Sequence, residues 1–250
     1  MTADKLCCQS GVVLAGGLGT RLGDLTKQIP KPLVEVNGIP FLEHQLKMLC
    51  RRGVTRVLLL TGYLGNQIQE RFADGSALGM SVSYSEEPKP RGTAGALTVA
   101  HSQLPDEFFL IYGDSYLDFD YQQAYASFSR WKHQNFPNAS NDEGLAAMVV
   151  ARRPGGDVEP GNVKLDLRSG TIESYRKGGN GEYRFVDAGV LILTKGTVNL
   201  IPETDEVSNL EQVIYPKLAD NNRLFAVITE EPFYDIGTPG RLSLFSRSIK

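Results

Sequence analysis

Four short apolar runs divide the first half of the chain: VVLA at 12–15, VTRVLLLT at 54–61, MSVSY at 80–84 and EFFLIYGD at 107–114. The segments between them carry the helical repeat of apolar residues. Leu42, Leu46 and Leu49 fall on one face of 41–52, with Gly53 placed to stop it, and Leu64, Ile68 and Phe72 share a face of 64–72. TAGALTVAHSQ at 93–103 also reads as a helix. Buried runs this short, joined by crossovers of helical length, leave little choice of architecture. They predict an α/β fold with a mixed, mostly parallel sheet and helices on both faces.

The texture changes in the second half. Tyr121, Tyr125, Phe128 and Trp131 recur at helical spacing in 121–133, a stripe that reads as core, and 134–144 is a polar, turn-rich surface loop. LAAMVVARR, NVKLDL, TIESYRK and YRFVDAGVLILT then follow as strands between Gly-rich turns, so a small β-rich extension, mixed or antiparallel, is expected here. SNLEQVIYPKLA (208–219) reads as a helix and LFAVIT as a strand. TPGRLSLFSRSI reads as a closing helix with Thr238 as cap and Pro239 at its first position.

At 250 residues, 41% hydrophobic and 22% charged, the chain can bury a sizeable core as one domain over 1–250. A net charge of −3 provides no basic footprint for nucleic acid. No apolar run reaches membrane-spanning length and the N-terminus lacks a signal-peptide pattern. Cys7, Cys8 and Cys50 have no metal-type spacing and read as reduced thiols, Cys50 as core filler, which points to a cytoplasmic protein. His44, His101 and His133 are scattered and read as structural or surface residues.

The most informative stretch is GVVLAGGLGTRLGDLTKQIPKPL (11–33). Glycines directly after a buried strand let backbone N–H groups approach a ligand, and successive N–H groups form an anion-binding concavity. A P-loop would need Gly-Lys-Ser/Thr, whereas Gly19 is followed by Thr20 and Arg21. A dinucleotide fingerprint would need a third glycine at 22, which is Leu22. A tight strand-to-helix turn would account for one or two of the glycines but not for Arg21 and Lys31 beside them. Fixed cations next to a glycine loop suit a triphosphate.

With LAGGLGTRL followed by PKPL, the chain resembles the sugar-1-phosphate nucleotidyltransferases, the nucleotide-diphospho-sugar pyrophosphorylases. The resemblance continues in order through EPKPRGTAGAL (87–97), YGD (112–114), VDAGVLIL (186–193), SNLEQVIYPKL (208–218) and FYDIGTP (233–239), covering roughly residues 10–240. It is closest in look to the heptose- and mannose-1-phosphate guanylyltransferases and the N-acetylmuramate-1-phosphate uridylyltransferases. It implies a Rossmann-like nucleotide-diphospho-sugar transferase fold, with a nucleotide-binding half at about 1–120 and a sugar-phosphate-binding half at about 145–240.

The resemblance also implies roles for individual residues. Leu14, Ala15, Gly16, Gly17, Gly19, Thr20 and Arg21 would hold the nucleotide from one loop, and Glu87, Gly92 and Thr93 from a second. Arg21, Lys31 and Asp114 would be catalytic. Gly161, Lys177, Asp187 and Gly189 would bind the sugar phosphate, although Lys177 departs from the family's usual Glu-Lys-Pro context. Asp114 and Asp235 would hold Mg²⁺. Asp114 taken alone reads equally well as a turn cap, and Lys177 as a solvated surface lysine.

The implied reaction explains the residue types. A sugar 1-phosphate oxygen, already ionised, attacks the α-phosphorus of a nucleoside triphosphate in line and pyrophosphate leaves. Positioning and charge neutralisation suffice, with no serine, cysteine or histidine base. Guanine offers an N1–H and an amino group side by side, which one carboxylate can accept, so Glu87 favours GTP. A uridylyl- or cytidylyltransferase is the second reading. A non-catalytic nucleotide-sugar-binding module is the third, and it would be marked by loss of Arg21, Lys31, Asp114 or Asp235, all of which are present. The expected partners are a nucleoside triphosphate and a sugar 1-phosphate, with a homo-oligomer left open.

Overall fold

The computed structural model describes residues 7–140, 143–152, 161–176, 182–204 and 206–249. The first half runs through β1 (Ser10–Leu14), a small hairpin of β2 (Glu35–Val36) and β3 (Ile39–Pro40), α1 (Phe41–Arg51) and β4 (Arg56–Thr61). It continues through α2 (Gly65–Phe72), β5 (Ser81–Glu86), α3 (Gly92–Val99), β6 (Glu107–Tyr112), β7 (Ser115–Leu117) and α4 (Tyr121–Asn135). The second half contains β8 (Ala146–Arg152), β9 (Val163–Asp166), β10 (Thr171–Tyr175), β11 (Phe185–Thr194) and α5 (Lys195–Asn199). It ends with α6 (Leu210–Val213), α7 (Tyr215–Asp220), β12 (Leu224–Thr229), β13 (Phe233–Asp235) and α8 (Pro239–Ser248).

One nine-stranded sheet, in the order β5-β4-β1-β6-β11-β8-β12-β10-β9, runs through both halves. The four strands that the first half contributes to this sheet, β1, β4, β5 and β6, are all parallel, as expected from apolar runs joined by helical crossovers. The long strand β11 enters antiparallel between β6 and β8, β12 lies parallel to β8, and β9 and β10 add an antiparallel edge. This mixed part is the β-rich extension.

Alternate strand residues feed two cores, which is why both sheet faces carry helices. Val13, Leu59, Phe109, Ile111 and Val149 meet α1, α2, α4 and α8 on one face. Val12, Leu58, Leu60, Leu110 and Met148 meet α3, α5, α6 and α7 on the other. The aromatic stripe of α4 is core, as its spacing predicts. Tyr121 and Phe128 are fully buried, and Trp131 stacks on Phe225 of β12 at 5.3 Å between ring centres. Thr238 caps α8 by accepting the Arg241 N–H, with Pro239 in the first turn.

The helix expected over 208–219 is broken in two. Ile214 separates α6 from α7 at φ −111°, because Pro216, with no N–H and a ring that crowds the preceding turn, cannot lie inside one continuous helix. Helix α3 likewise ends at Val99, and His101–Gln103 forms a separate 3₁₀ turn. A two-stranded ribbon, β7 with β13, was not legible in the sequence. Among the described residues, no helix is long and apolar enough to cross a membrane.

Phe128 is fully buried and stacks on Trp131, and α4 contributes nothing to the lining of the nucleotide cleft. Phe128→Ala should therefore cost about 3–5 kcal/mol of stability. In denaturant melts the midpoint should fall, while turnover measured well below the transition stays within twofold of wild type.

Candidate active site

The cleft is built where β1 and β6 end. Ala15 N–H donates to Leu60 O at 2.8 Å, so the chain leaves the sheet still tied to β4. The turn after β6 packs backbone to backbone against it. Gly113 N–H donates to Leu14 O at 3.1 Å, and a Cβ at 113 would stand only 2.3 Å from that oxygen, so only glycine fits. Gly19, at φ 66°, opens the 3₁₀ turn Thr20–Thr26, and Thr26 Oγ1 donates back to Gly19 O at 3.0 Å. Gly17 is exposed with open space beside it.

These turns bring two opposite charges together. Lys31 Nζ donates to Asp114 Oδ2 at 2.6 Å, and the lysine is 9% exposed. The β7–β13 ribbon places Asp235 opposite Ser115, and Ile236 N–H donates to Asp114 O at 3.0 Å. The two aspartates thus reach neighbouring backbone positions from distant segments. Asp235 is gripped by Arg241 through both carboxylate oxygens, at 3.2 and 3.0 Å, and its Oδ1 accepts the Gly237 N–H at 2.8 Å. The exposed Arg21 leans over the same segment, where a Cβ on Gly237 would stand 3.6 Å from its Nη2.

The donor chemistry is compatible with a hard divalent cation. Two carboxylates offer oxygen ligands, yet no group of three or more His, Cys, Asp or Glu gathers among the described residues. Such a set suits an ion that takes its remaining oxygens from phosphate and water, rather than one caged by protein.

The second nucleotide loop forms the facing wall. Glu87 Oε2 accepts the Arg91 N–H at 3.1 Å, while Oε1 lies over Gly16, in space that a Cβ at 16 would approach to 3.0 Å. Burial pushes this carboxyl above the usual range, and the Arg91 N–H opposes the rise. Residues 208–211 are tied to the same loop. Ala94 N–H donates to Ser208 O at 3.1 Å, Leu210 N–H to Thr93 Oγ1 at 2.9 Å, and Thr93 Oγ1 to Glu211 Oε2 at 3.4 Å. Glu211 Oε1 in turn accepts from the Tyr112 hydroxyl at 3.3 Å.

Beyond Tyr112 lies Asp187 on β11. Its backbone N–H donates to Asn162 Oδ1 and its own Oδ1 accepts the Gly189 N–H, both at 2.8 Å. Gly189, at φ 75°, packs against Ser115, so this strand lies beside the turn that carries Asp114. Gly161 is buried against the carbonyls of Tyr183 and Phe185. Burial pushes the Asp187 carboxyl up to about 7; the Gly189 N–H opposes the rise and the Glu211 charge adds to it.

Leu14, Ala15, Gly16, Gly17, Gly19, Thr20, Arg21, Lys31, Glu87, Gly92, Thr93 and Asp114 all line one cleft of about 420 Å³. Asp187, Gly189, Gly161 and Asp235 lie outside that lining, on the flanks just described. Lys177 lies outside the described residues. Sequence reasoning assigned no role to Tyr112, Asn209 and Val207, which also line the cleft, nor to Glu211 and Gln45, which bond to residues around it. Tyr112 lies in the YGD motif and Asn209 and Glu211 in SNLEQVIYPKL, while the signal at Gln45 is a polar residue on the apolar face of α1.

A family model described as nucleotidyl transferase matches residues 10–248. The chain belongs to the nucleotidyl transferase family. The chain is 30% identical over 230 residues to a mannose-1-phosphate guanylyltransferase of Mycobacterium tuberculosis, and 29% identical over 233 residues to a mannose-1-phosphate guanylyltransferase catalytic subunit beta of Xenopus tropicalis. Each match takes in 91% of this chain but only 61% of the relative, so the chain spans about three fifths of the length of these curated relatives. Among solved structures, HddC from Yersinia pseudotuberculosis is similar with a TM-score of 0.78 and 26% identity, covering 97% of this chain and 100% of that one. HddC has also been solved in complex with GMP-PN. A putative glucose-1-phosphate thymidylyltransferase from Bacillus anthracis, 21% identical with a TM-score of 0.79 and 97% coverage of both chains, shares the fold.

The raised carboxyl of Asp187 gives a pH signature. In the window between the usual 3.8 and about 7, the folded chain keeps a proton that the unfolded chain has lost, so this group lowers stability as pH rises through that window. Asparagine carries no such penalty. Asp187→Asn should therefore raise the melting temperature relative to wild type more at pH 8 than at pH 5; an equal difference at both would show that Asp187 ionises normally.

Proposed function

We propose that the protein transfers a nucleotidyl group, preferentially guanylyl from GTP, to a hexose or heptose 1-phosphate, releasing pyrophosphate and forming a nucleotide-diphospho-sugar. The observation that carries this reading is the cleft itself. It sets a glycine loop, Arg21 and the Lys31–Asp114 pair against a second loop bearing Glu87 and Thr93. The guanylyltransferases among the relatives, and the nucleotide-bound HddC, support the same substrate class.

In this reading Leu14–Arg21 wrap the triphosphate with backbone donors, and Arg21 neutralises the departing pyrophosphate. Lys31 neutralises the α-phosphate region. Asp114 and Asp235 would hold Mg²⁺, which supplies positive charge to the phosphate oxygens. Lys31 is close enough to balance the Asp114 charge without the ion, as Arg241 balances Asp235. The sugar phosphate would lie against β11 with Asp187, Gly189, Gly161 and Lys177. Residues 1–120 then serve the nucleotide and 145–240 the sugar phosphate, within a single domain.

Base preference rests on Glu87. Its Oε2 already accepts one N–H, so Oε1 and the second lone pair of Oε2 remain for guanine donors. Glu87→Gln should lower kcat/KM for GTP about ten- to a hundredfold and leave UTP flat or improved. An unchanged GTP preference would assign base reading to other groups.

The deciding experiment is pyrophosphate release across four nucleoside triphosphates and a panel of sugar 1-phosphates; a clear preference for UTP or CTP would replace the guanylyl reading. Asp114→Asn should keep the fold and lower turnover at least about a hundredfold. Near-normal turnover at saturating Mg²⁺ would remove Asp114 from the chemistry.

A further inference from the structure

Gln45 sits in the middle of α1, on a face otherwise made of Phe41, Leu42, Leu46, Met48 and Leu49, and like them it is 0% exposed. Its Nε2 donates to two backbone carbonyls, Tyr112 O at 3.0 Å and Ser115 O at 2.5 Å. Those carbonyls bracket Gly113 and Asp114, the turn between β6 and β7. Because both partners are acceptors, only the NH₂ end of the amide can face them. Oε1 is left buried with no partner among the described residues.

Packing alone does not account for this side chain. Leucine or methionine would fill the same apolar face without burying an unsatisfied oxygen, which is a destabilising feature in a core. What the amide adds is a bridge from one end of the Asp114 turn to the other. The backbone ties of that turn, Gly113 to Leu14 and Ile236 to Asp114, hold it at single points and do not span it.

We propose that Gln45 is a positioning residue, whose buried amide clamps the Tyr112–Ser115 turn so that the Asp114 carboxylate is held at a fixed angle to Lys31 and the cleft. The proposal rests on the reading of Asp114 as a carboxylate that serves the reaction. Gln45 touches no substrate and acts only through that turn.

A double-mutant cycle tests it. Gln45→Met keeps the side-chain volume and removes both donors. It should lower kcat at least tenfold while both KM values stay within about twofold. In the Asp114→Asn background, the same change should cost less than twofold in kcat, since the clamp has nothing left to aim. Thr197→Val serves as the stability control: Thr197 is another buried polar side chain, donating to Leu145 O at 2.8 Å, and it does not line the cleft. It should lower the melting temperature but leave kcat within twofold. If Gln45→Met does not fold, Gln45→Asn, one methylene too short to span the turn, is read in the same cycle. Full activity of the Gln45 variant, or equal losses with and without Asp114, would overturn the clamp. Near-normal turnover of Asp114→Asn alone would overturn the reading beneath it, and that single variant distinguishes the two failures.

Discussion

The 2.6 Å ion pair between Lys31 and Asp114 is the constraint around which the cleft is arranged. Lysine and aspartate come from turns after different strands, and a pair this sheltered is tolerated only because each charge has the other as partner. To bring them together, the turn after β6 must press against the end of β1, which is why position 113 accepts only glycine. The same contact sets the depth of the cleft. It places the exposed Arg21 and the glycine loop on one side of Asp114, and β11 with Asp187 on the other.

The electrostatics follow from this arrangement. Each functional carboxylate is balanced or desolvated in its own way. Asp114 has Lys31, Asp235 has Arg241, Glu87 is half-buried with one backbone donor, and Asp187 is pushed up to about 7 beside Glu211. Charged ligands can then exchange with existing partners instead of meeting isolated charges. That suits a reaction in which anionic phosphates arrive and leave and no protein nucleophile is needed.

Much of the fold was legible because it depends on short-range rules. Apolar runs in β1, β4, β5 and β6 and the 3.6-residue repeats of α1, α2 and α4 are visible within windows of a dozen residues. The break at Ile214 is also written locally, in Pro216, which lies inside the stretch that otherwise reads as one helix. Three-residue strands such as β7 and β13 carry no periodicity of their own. They exist because each finds the other, so nothing in either segment announces them.

The sequence by itself determined the layer architecture, the glycine loop with its cations and the ordered motifs that mark a nucleotidyl transferase, since backbone conformation and ligand chemistry there depend on neighbouring residues. Only the tertiary structure decided that Lys31 meets Asp114 from 83 positions away, that the ribbon carries Asp235 to the same place and that Glu211 bridges Thr93 and Tyr112. It also decided that Gln45 of α1 reaches the Asp114 turn at the end of β6. Those meetings are set by strand order in the sheet, which is chosen by the burial of two whole cores at once and not by any local stretch of chain.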